Sequence, residues 1–392
     1  MTLIIILLAA FNFAHVMDFM IIMPLNPFLT EGLNISVAQF NYLVSIYTAS
    51  AGISSLIVAT FIDQLDRKYA LLSVTAGFIL ATFGCAFSQT YHQLFLFRIL
   101  SGAFGGVTGT LVLSVIGDII PLERRSSAMS MVMMAFALSS VIGMPFGLYL
   151  ADTFGWSTPF LAIAIIALLI FVVAIFKLPN VRGHLKDGSK PLKPIEVFRN
   201  ALTLKNQRNA LVLMFLLILG QFTLIPNISG YMVSNVGLEK DQLFMIYLAG
   251  GLATFVTMPF IGKLADRFDR SRVFVIFALL SIVPIIWITN MPKYTIIQVL
   301  MVTVPFFIFI SGRMIPATTI MTSVVKSSQR AGYMSVNTAV REFSASFSAL
   351  VASWFIFDSD GIIYGFENAG YIAVISTILA VVFIKKVKAI KE

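Results

Sequence analysis

Hydrophobic runs separated by short polar or charged turns fill almost the whole chain. A membrane-spanning α-helix needs about 20 predominantly apolar residues, and most of these runs reach or approach that length. The pattern predicts twelve transmembrane helices and leaves little chain for a soluble catalytic domain. The runs extend over Leu3–Leu29, Phe40–Ile62, Tyr69–Phe87, Leu94–Ile119, Ala128–Leu150, Pro159–Phe176, Leu211–Val233, Leu243–Leu264, Val273–Ile288, Ile296–Thr322, Met334–Phe357 and Tyr371–Ile384.

The longest hydrophilic stretch, Pro179–Arg208, divides six runs from six and contains two glycines and two further prolines. Glycine and proline in a polar segment are typical of a linker. We therefore predict an N-terminal six-helix bundle over residues 1–178, a cytoplasmic linker over 179–208 and a C-terminal six-helix bundle over 209–392.

Composition agrees with a membrane protein, because 58% of the 392 residues are hydrophobic and only 11% are charged. Ordinary soluble proteins are about 25% charged. The single cysteine, Cys85, excludes an internal disulfide, and the three histidines are far apart in sequence. No Walker motif is present. The sequence therefore predicts no metal site, no cofactor and no ATP-driven step.

The distribution of charge predicts the orientation. There are 27 basic residues against 18 acidic ones. If both termini are cytoplasmic, most basic residues fall in cytoplasmic loops, and the outer loops keep only Lys240 and Lys293. This distribution satisfies the positive-inside rule. Because the net charge of +9 is spread over these loops, we expect a lipid bilayer around the protein and no nucleic-acid partner.

A short charged motif occurs twice in the chain. Asp63, Arg67 and Lys68 follow the second run, and Asp266, Arg267 and Arg270 follow the eighth. Positions 63 and 266 differ by 203 residues, as do positions 67 and 270, which indicates an internal duplication. An aspartate in such a turn can accept bonds from a helix N-terminus and pair with an arginine. We interpret both turns as gate latches; solvated turns without a switching role are the alternative.

The doubled turn resembles the G-x-L-a-D-r-x-G-R-K signature of the major facilitator superfamily. This chain departs from the signature at Ala59, Asp66 and Asp269. The segment from Arg98 to Gly105 is similar to the R-x-x-q-G-x-g pattern of that superfamily's fourth helix. The resemblance implies an all-α membrane protein with twelve helices in two pseudo-symmetric six-helix bundles, which transports by alternating access.

Gly143, Pro145 and Gly147 in the fifth run resemble the fifth-helix motif of drug:proton antiporters. Their G-x-P-x-G form is similar to exporters of sugars, nucleosides and drugs. Proline removes a backbone donor and glycine removes side chains, so this helix is expected to bend and pack closely. In the antiporters the helix faces the other bundle and seals against ion leak; a packing kink without bearing on direction is the alternative.

Asp18 lies in the middle of the first run, where an unpaired carboxylate is costly and must face a cavity or be protonated. It is the leading candidate for proton coupling. Asn12, His15 and Asp18 recur every three residues, so His15 can reach Asp18 and share a proton. A fixed hydrogen-bonded pair is the alternative. Gln221, 203 residues after Asp18, is the neutral counterpart in the second half.

Asn337, Arg341, Ser344 and Ser348 form a polar stripe on the eleventh helix. Such a stripe must face protein or water, so it is expected either to line a substrate cavity or to belong to a structural ion pair. Glu342 is one position off the stripe and is the second candidate for proton coupling.

Two further arginines fall inside apolar runs. Arg313 in the tenth run leaves the same choice between cavity lining and a structural pair. In the resembling family the arginine matching Arg98 influences proton binding; hydrogen bonding between helices is the alternative. The glycines at 102, 105, 106 and 109 are interpreted as close helix packing rather than a phosphate loop, because no Gly-Lys-Ser/Thr follows them.

The sequence therefore predicts a monomeric secondary transporter of the bacterial inner membrane. Its expected partners are protons and a small-molecule substrate, exported as a drug or other organic compound in exchange for protons. A proton-coupled importer or a uniporter is the nearest alternative. A membrane-embedded enzyme is less favoured, because no nucleophile has a partner set at suitable spacing, and a sensor without transport is less favoured too.

Overall fold

The computed structural model of the protein describes residues 2–59, 66–120, 131–132, 134–135, 138–179, 194–325 and 330–388. Almost all of these residues are helical, as expected where lipid cannot satisfy backbone polar groups. The α-helices are α1 (Thr2–Ile21), α2 (Asn26–Gly32), α3 (Val37–Ala59), α4 (Arg67–Phe87), α5 (Tyr91–Ile119), α6 (Met144–Phe154), α7 (Thr158–Lys177), α8 (Pro194–Thr203), α9 (Lys205–Phe222), α10 (Ile225–Tyr231), α11 (Leu243–Arg267), α12 (Arg270–Thr289), α13 (Ile296–Thr322), α14 (Arg330–Phe355) and α15 (Phe366–Ile384).

Ten helical segments among the described residues are long and apolar enough to cross a membrane. Two of the twelve predicted spans are not among them. Residues 121–130, 133, 136 and 137 lie outside the described ranges, and six of these positions belong to the fifth span. The eleventh span forms α14, which is long enough at 26 residues but carries the polar stripe and two adjacent charged residues, Arg341 and Glu342. α14 is therefore long enough to cross a membrane, and its polar residues account for its low hydropathy.

The first and seventh predicted spans are each interrupted near the same place in their half. α1 ends at Ile21 and α2 begins at Asn26, while α9 ends at Phe222 and α10 begins at Ile225. A proline occupies the first turn of both resumed helices, Pro27 in α2 and Pro226 in α10. Proline lacks the N–H that a continuous helix needs and is tolerated at a helix start, so both spans break just before it.

The chain forms two compact units, each with its own apolar core. The first comprises Met1–Ile35 and Ile46–Pro191, and the second comprises Ser36–Ser45 and Leu192–Glu392. In the first unit α1, α4, α5 and α7 pack around Leu8, Phe11, Leu71, Leu111 and Val115. In the second unit α9, α12, α13, α14 and α15 surround a core that includes Leu211, Met214, Phe274, Met321 and Tyr333.

Ser36–Ser45, the first part of α3 with the residue before it, belongs to the second unit. Asn227 donates to the buried Asn41 carboxamide oxygen over 3.1 Å, and the Ser45 and Ser346 hydroxyls are 2.9 Å apart. These bonds between buried polar groups anchor the segment within that unit.

A two-stranded hairpin separates α14 from α15. β1 (Phe357–Ser359) pairs antiparallel with β2 (Ile362–Tyr364) through a two-residue turn. Both turn residues, Asp360 and Gly361, have positive φ, as tight hairpin turns require.

The turns that carry the doubled motif end in helix caps. Asp66 accepts a bond from the Lys68 backbone N–H at 2.9 Å and starts α4. Asp269 accepts from the Arg272 N–H at 2.9 Å and starts α12. Aspartate is among the preferred N-cap residues because its carboxylate satisfies orphan N–H groups and complements the helix dipole. At both positions where the family's motif has its second glycine, this chain therefore has an aspartate that caps the following helix.

Candidate functional site

A buried ion pair between α1 and α5 is the centre of the site. The Asp18 Oδ2 atom lies 3.2 Å from Arg98 Nη1, and both side chains have an exposed fraction of zero. Arg98 Nη1 also lies 3.4 Å from the Asp18 carbonyl oxygen. Asp18 Oδ1 and the Nε and Nη2 atoms of Arg98 have no hydrogen-bond partner among the described residues. The pair is therefore held by a single charge-assisted contact rather than by a bidentate one.

Tyr47 of α3 closes the cluster from a third helix. The Arg98 guanidinium lies 4.0 Å from the centroid of the Tyr47 ring, a distance at which a cation is attracted to the ring face. The Asp18 carboxylate interacts with the Tyr47 side chain. Phe19 stacks on the Tyr47 ring, with the two centroids 5.8 Å apart. A single tyrosine therefore contacts both members of the ion pair.

His15 joins the cluster through Tyr47. Its Nδ1 lies 3.3 Å from the Tyr47 hydroxyl, and Phe78 of α4 packs edge-on against the imidazole. The sequence analysis expected His15 to reach Asp18 directly along α1. In the structure His15 contacts the Tyr47 hydroxyl, and the charged partner of Asp18 is Arg98.

Close approach of α5 to α3 and α1 makes this cluster possible. A Cβ atom added at Gly102 would overlap the Tyr47 carbonyl oxygen, and one at Gly106 would lie 2.7 Å from Ala51. Neither approach is sterically allowed, so only glycine fits at these two positions. The interpretation of the α5 glycines as close packing therefore holds at Gly102 and Gly106.

The fifth span also packs against α1. Asn12 Nδ2 donates to the Val132 carbonyl oxygen at 3.0 Å, so this predicted cavity residue ties two helices together. A Cβ at Gly143 would meet the Met17 sulfur at 3.2 Å, and one at Gly147 would overlap Ile21 Cδ1. In the first unit these glycines therefore face the helix that carries Asp18.

A π-helical turn at Ser139–Gly143 precedes α6, in which Pro145 occupies the first turn. The Met144 N–H bonds back to the Ser139 carbonyl, one residue further than in an α-helix. Proline cannot donate the next bond, and a π-turn and a proline are both recognised causes of helix bending. The bend itself stays a prediction.

Arg313 lies in the core of the second unit between three helices. Its Nη1 donates to Thr377 Oγ1 of α15 at 2.8 Å and to Ser281 Oγ of α12 at 3.3 Å. The side chain is completely buried, and Nε and Nη2 have no partner among the described residues. No carboxylate in the described ranges forms an ion pair with it.

The residues of the polar stripe on α14 differ in their burial and in their hydrogen-bond partners. Ser344 donates to the Phe215 carbonyl of α9 at 2.7 Å. Asn337 is buried, and neither of its amide atoms has a partner in the described part of the chain. Arg341 and Glu342 are half-buried neighbours that interact electrostatically. Gln221 is also half-buried, near the end of α9.

The predicted latch residues are only partly described. Asp63 lies outside the described residues. Arg67 is buried at the start of α4, and Lys68 Nζ donates to the Ile175 carbonyl of α7 at 3.0 Å. Asp266, Arg267 and Arg270 are exposed at the turn between α11 and α12, and no ion pair joins these three described residues.

Sequence reasoning missed Tyr47, because Tyr47 is far in sequence from His15 and Arg98, which it contacts in the structure. The available signal was a tyrosine in the middle of an apolar run, because a buried tyrosine hydroxyl needs a polar partner.

Cys85, which we considered only for disulfides and metals, is buried and electrostatically linked to Asp18 and Arg98. Within the described residues, no group of three His, Cys, Asp or Glu side chains could hold a metal ion.

The family model described as Major Facilitator Superfamily matches residues 8–207 and 210–391, which is nearly the whole chain. The chain belongs to the Major Facilitator Superfamily. The resemblance predicted from the doubled turn and the fourth helix is therefore confirmed at the level of the superfamily. The fold class is confirmed with it: an all-α membrane protein of the major facilitator fold.

Relatives within the superfamily are transporters by name. The chain is 25% identical to the uncharacterized MFS-type transporter YtbD of Bacillus subtilis over 260 residues, which cover 66% of this chain and 64% of YtbD. It is 26% identical to the inner membrane transport protein YdhP of Escherichia coli strain K12 over 250 residues, which cover 62% and 61% of the two chains. The aligned region thus spans somewhat under two thirds of each relative.

A solved structure agrees over the full length. The crystal structure of a D-xylose-proton symporter aligns with a TM-score of 0.78 and 16% identity, covering 98% of both chains. At this identity the similarity supports the fold of the superfamily and leaves the substrate to be argued from the site.

Proposed function

We propose that the protein is a secondary transporter that exports a small organic compound in exchange for protons by alternating access. The Asp18–Arg98 ion pair carries this proposal. Two charges with no exposure lie in the first unit, on two helices that are long and apolar enough to cross a membrane. Ionisable residues inside membrane helices are costly and mark proton or substrate pathways by default.

The incomplete bonding of this pair suits an exchangeable proton. Oδ1 of Asp18 accepts no hydrogen bond from the described residues, so the carboxylate is incompletely satisfied and can take up a proton. Protonation neutralises the carboxylate and leaves the guanidinium held by the Tyr47 ring and the Asp18 carbonyl. The first unit thereby changes its net charge by one while its packing is kept, which is the kind of change that can bias a conformational equilibrium.

Export rather than import is supported by the fifth-helix motif. Gly143 and Gly147 pack against Met17 and Ile21 of α1, on either side of Asp18 in sequence. The motif is therefore placed to transmit a change at Asp18 to the bent fifth span. We place the protein in the inner membrane with both termini cytoplasmic, as supported by the basic loops and by the name of the Escherichia coli relative.

The test uses the full-length protein in proteoliposomes with an imposed pH gradient. The probes are ethidium, a nucleoside and a pentose, each followed with and without the gradient. We expect movement of a probe opposite to the proton flux, and we expect Asp18→Asn to abolish uphill transport while downhill exchange remains. Movement with the proton flux would make the protein a symporter.

Glu342→Gln is the matched comparison, because Glu342, which is half-buried, is the other carboxylate considered for coupling. If Asp18→Asn keeps full uphill transport while Glu342→Gln loses it, the proton site moves to the second unit. If no probe responds to the gradient, proton coupling of these substrate classes is refuted.

A further inference from the structure

We propose that Tyr47 relays protons between His15 and Asp18, and that Gly105 provides the space in which this relay forms. The relay itself is a property of the first unit; its role in transport rests on the proposed function above. The argument begins with access. Asp18 is completely buried, whereas His15 is of intermediate burial. A proton bound for Asp18 needs a route, and His15, three residues away on the same helix, can hold one.

The hydrogen-bond directions follow from the number of protons available. An ionised carboxylate only accepts hydrogen bonds, so in the proposed relay Tyr47 donates its single hydroxyl proton to Asp18. The Tyr47 oxygen can then only accept from His15 Nδ1, 3.3 Å away. The imidazole must therefore carry its proton on Nδ1, which leaves Nε2 as the atom that takes up a proton from outside the cluster.

The transfer step balances without any other reactant. When Nε2 of His15 binds a proton, the ring becomes an imidazolium. The Nδ1–H bond then breaks as a new O–H bond forms on Tyr47, while the original Tyr47 O–H bond breaks as the Asp18 carboxylic acid forms. The products are a neutral imidazole, an intact tyrosine and a neutral Asp18. Tyrosine never has to exist as a phenolate if the two transfers are concerted.

Gly105 faces the middle of this chain of groups. A Cβ at this position would lie 2.8 Å from His15 Nδ1 and 2.9 Å from the Tyr47 hydroxyl oxygen. Both are shorter than a carbon atom can approach these atoms without displacing them. Gly105 is therefore required at the His15–Tyr47 hydrogen bond itself, in addition to any role in helix packing.

Gly109, one turn further along α5, provides a matched control. Its added Cβ would lie 3.8 Å from Asn12 Oδ1 and 4.0 Å from His15 Cδ2, which are ordinary van der Waals contacts. Gly105→Ala and Gly109→Ala thus make the same chemical change on the same helix. Only the first places a methyl group against the relay.

The other charged and titratable groups near the cluster are few. α5 contributes Arg98 and α4 contributes Cys85, each electrostatically linked to Asp18, and α3 contributes Tyr47 itself. Among the described residues of these helices, no second carboxylate forms an ion pair with the cluster. A proton that crosses the relay therefore has Asp18 as its acceptor.

The experiment follows protonation of Asp18 directly and needs no substrate. Purified full-length protein is subjected to a light-triggered pH drop, and the infrared band of the carboxylic acid is recorded with time. The band that Asp18→Asn removes belongs to Asp18. Tyr47→Phe deletes the hydroxyl but keeps the ring that packs on Arg98, so the ion pair retains its neighbour.

We expect Tyr47→Phe and Gly105→Ala to slow the appearance of this band at least about tenfold, since positioned proton-transfer groups contribute about 10²–10⁴ in rate. The final amplitude should be unchanged, and Gly109→Ala should follow the wild type. Rates equal to wild type in Tyr47→Phe would overturn the relay. Equal slowing by the two alanine variants would overturn the role of Gly105.

The outcomes separate the relay from the proposed function. If Asp18→Asn leaves uphill transport intact but Tyr47→Phe slows the Asp18 band, the relay stands and the coupling proposal fails. If Asp18→Asn abolishes uphill transport and Tyr47→Phe leaves the band at its wild-type rate, the coupling proposal stands and the relay fails. Should Gly105→Ala not fold, Tyr47→Phe decides alone.

Discussion

Removing one member of the buried Asp18–Arg98 pair should destabilise the protein far more than removing both. The two charged atoms are 3.2 Å apart and neither side chain has any exposed surface. At an effective dielectric constant of about 20, this separation corresponds to an attraction of about 5 kcal/mol. Stripping water from two ions costs several kcal/mol each, so the attraction serves mainly to offset that cost.

Arg98→Leu therefore leaves an uncompensated buried carboxylate, and we expect the free energy of unfolding to fall by about 3–5 kcal/mol. Asp18→Asn leaves the guanidinium unpaired but still over the Tyr47 ring, so its cost should be smaller. In the double variant Arg98→Leu/Asp18→Asn no unpaired charge remains. We expect its free energy of unfolding to lie within about 2 kcal/mol of the wild-type value.

The assay is equilibrium unfolding of the purified protein in mixed detergent micelles, read by tryptophan fluorescence and circular dichroism. The four proteins form a double-mutant cycle, whose coupling energy isolates the pair. The conservative control is Arg98→Lys, which keeps the positive charge but not the planar guanidinium fork. A double variant as unstable as Arg98→Leu would refute the reasoning, because the loss would then come from packing.

Three further results are expected. Asp269→Ala should lower the free energy of unfolding by about 1 kcal/mol in the same micelle assay. Asp269→Asn should lower it less, because asparagine also caps helices. Equal losses in the two variants would contradict a stabilising role for the Asp269 cap. Gly147→Leu should lower the free energy of unfolding by about 1–3 kcal/mol, because the added side chain clashes with Ile21. The double variant Gly147→Leu/Ile21→Ala should regain part of that free energy. If it regains none, the strain does not arise from Ile21. A cysteine at Lys205 should react with an impermeant maleimide only from the cytoplasm and one at Asp360 only from outside; labelling of both from one side would contradict the predicted topology.

Periodicity and length were sufficient to predict the fold, because each membrane helix must satisfy its own backbone within one apolar run. They were less informative where a run contains a local break. The first span was predicted as one run to Leu29, but it stops at Ile21. Pro24 and Pro27 were visible in the sequence, and the absence of their N–H groups accounts for the interruption.

The site was predictable only in part, because its contacts join distant parts of the chain. Helical spacing identified His15 as a neighbour of Asp18, yet the pairing partner Arg98 is 80 positions away. A sequence of one protein shows which groups need partners and does not show which helix supplies them. Asp66 and Asp269 are a different case: an aspartate just before a helix is a recognised cap, so their role could have been inferred from the sequence.

All four members of the cluster, His15, Asp18, Tyr47 and Arg98, belong to the first compact unit. If that unit moves as a rigid body, the distances within the cluster do not change during the movement. A proton that biases the conformational equilibrium must nevertheless bind with different affinity in the two orientations, because linkage is reciprocal. That difference would then arise from the surroundings of the cluster, through the access of water and the charges that face it, rather than from a rearrangement of its own bonds.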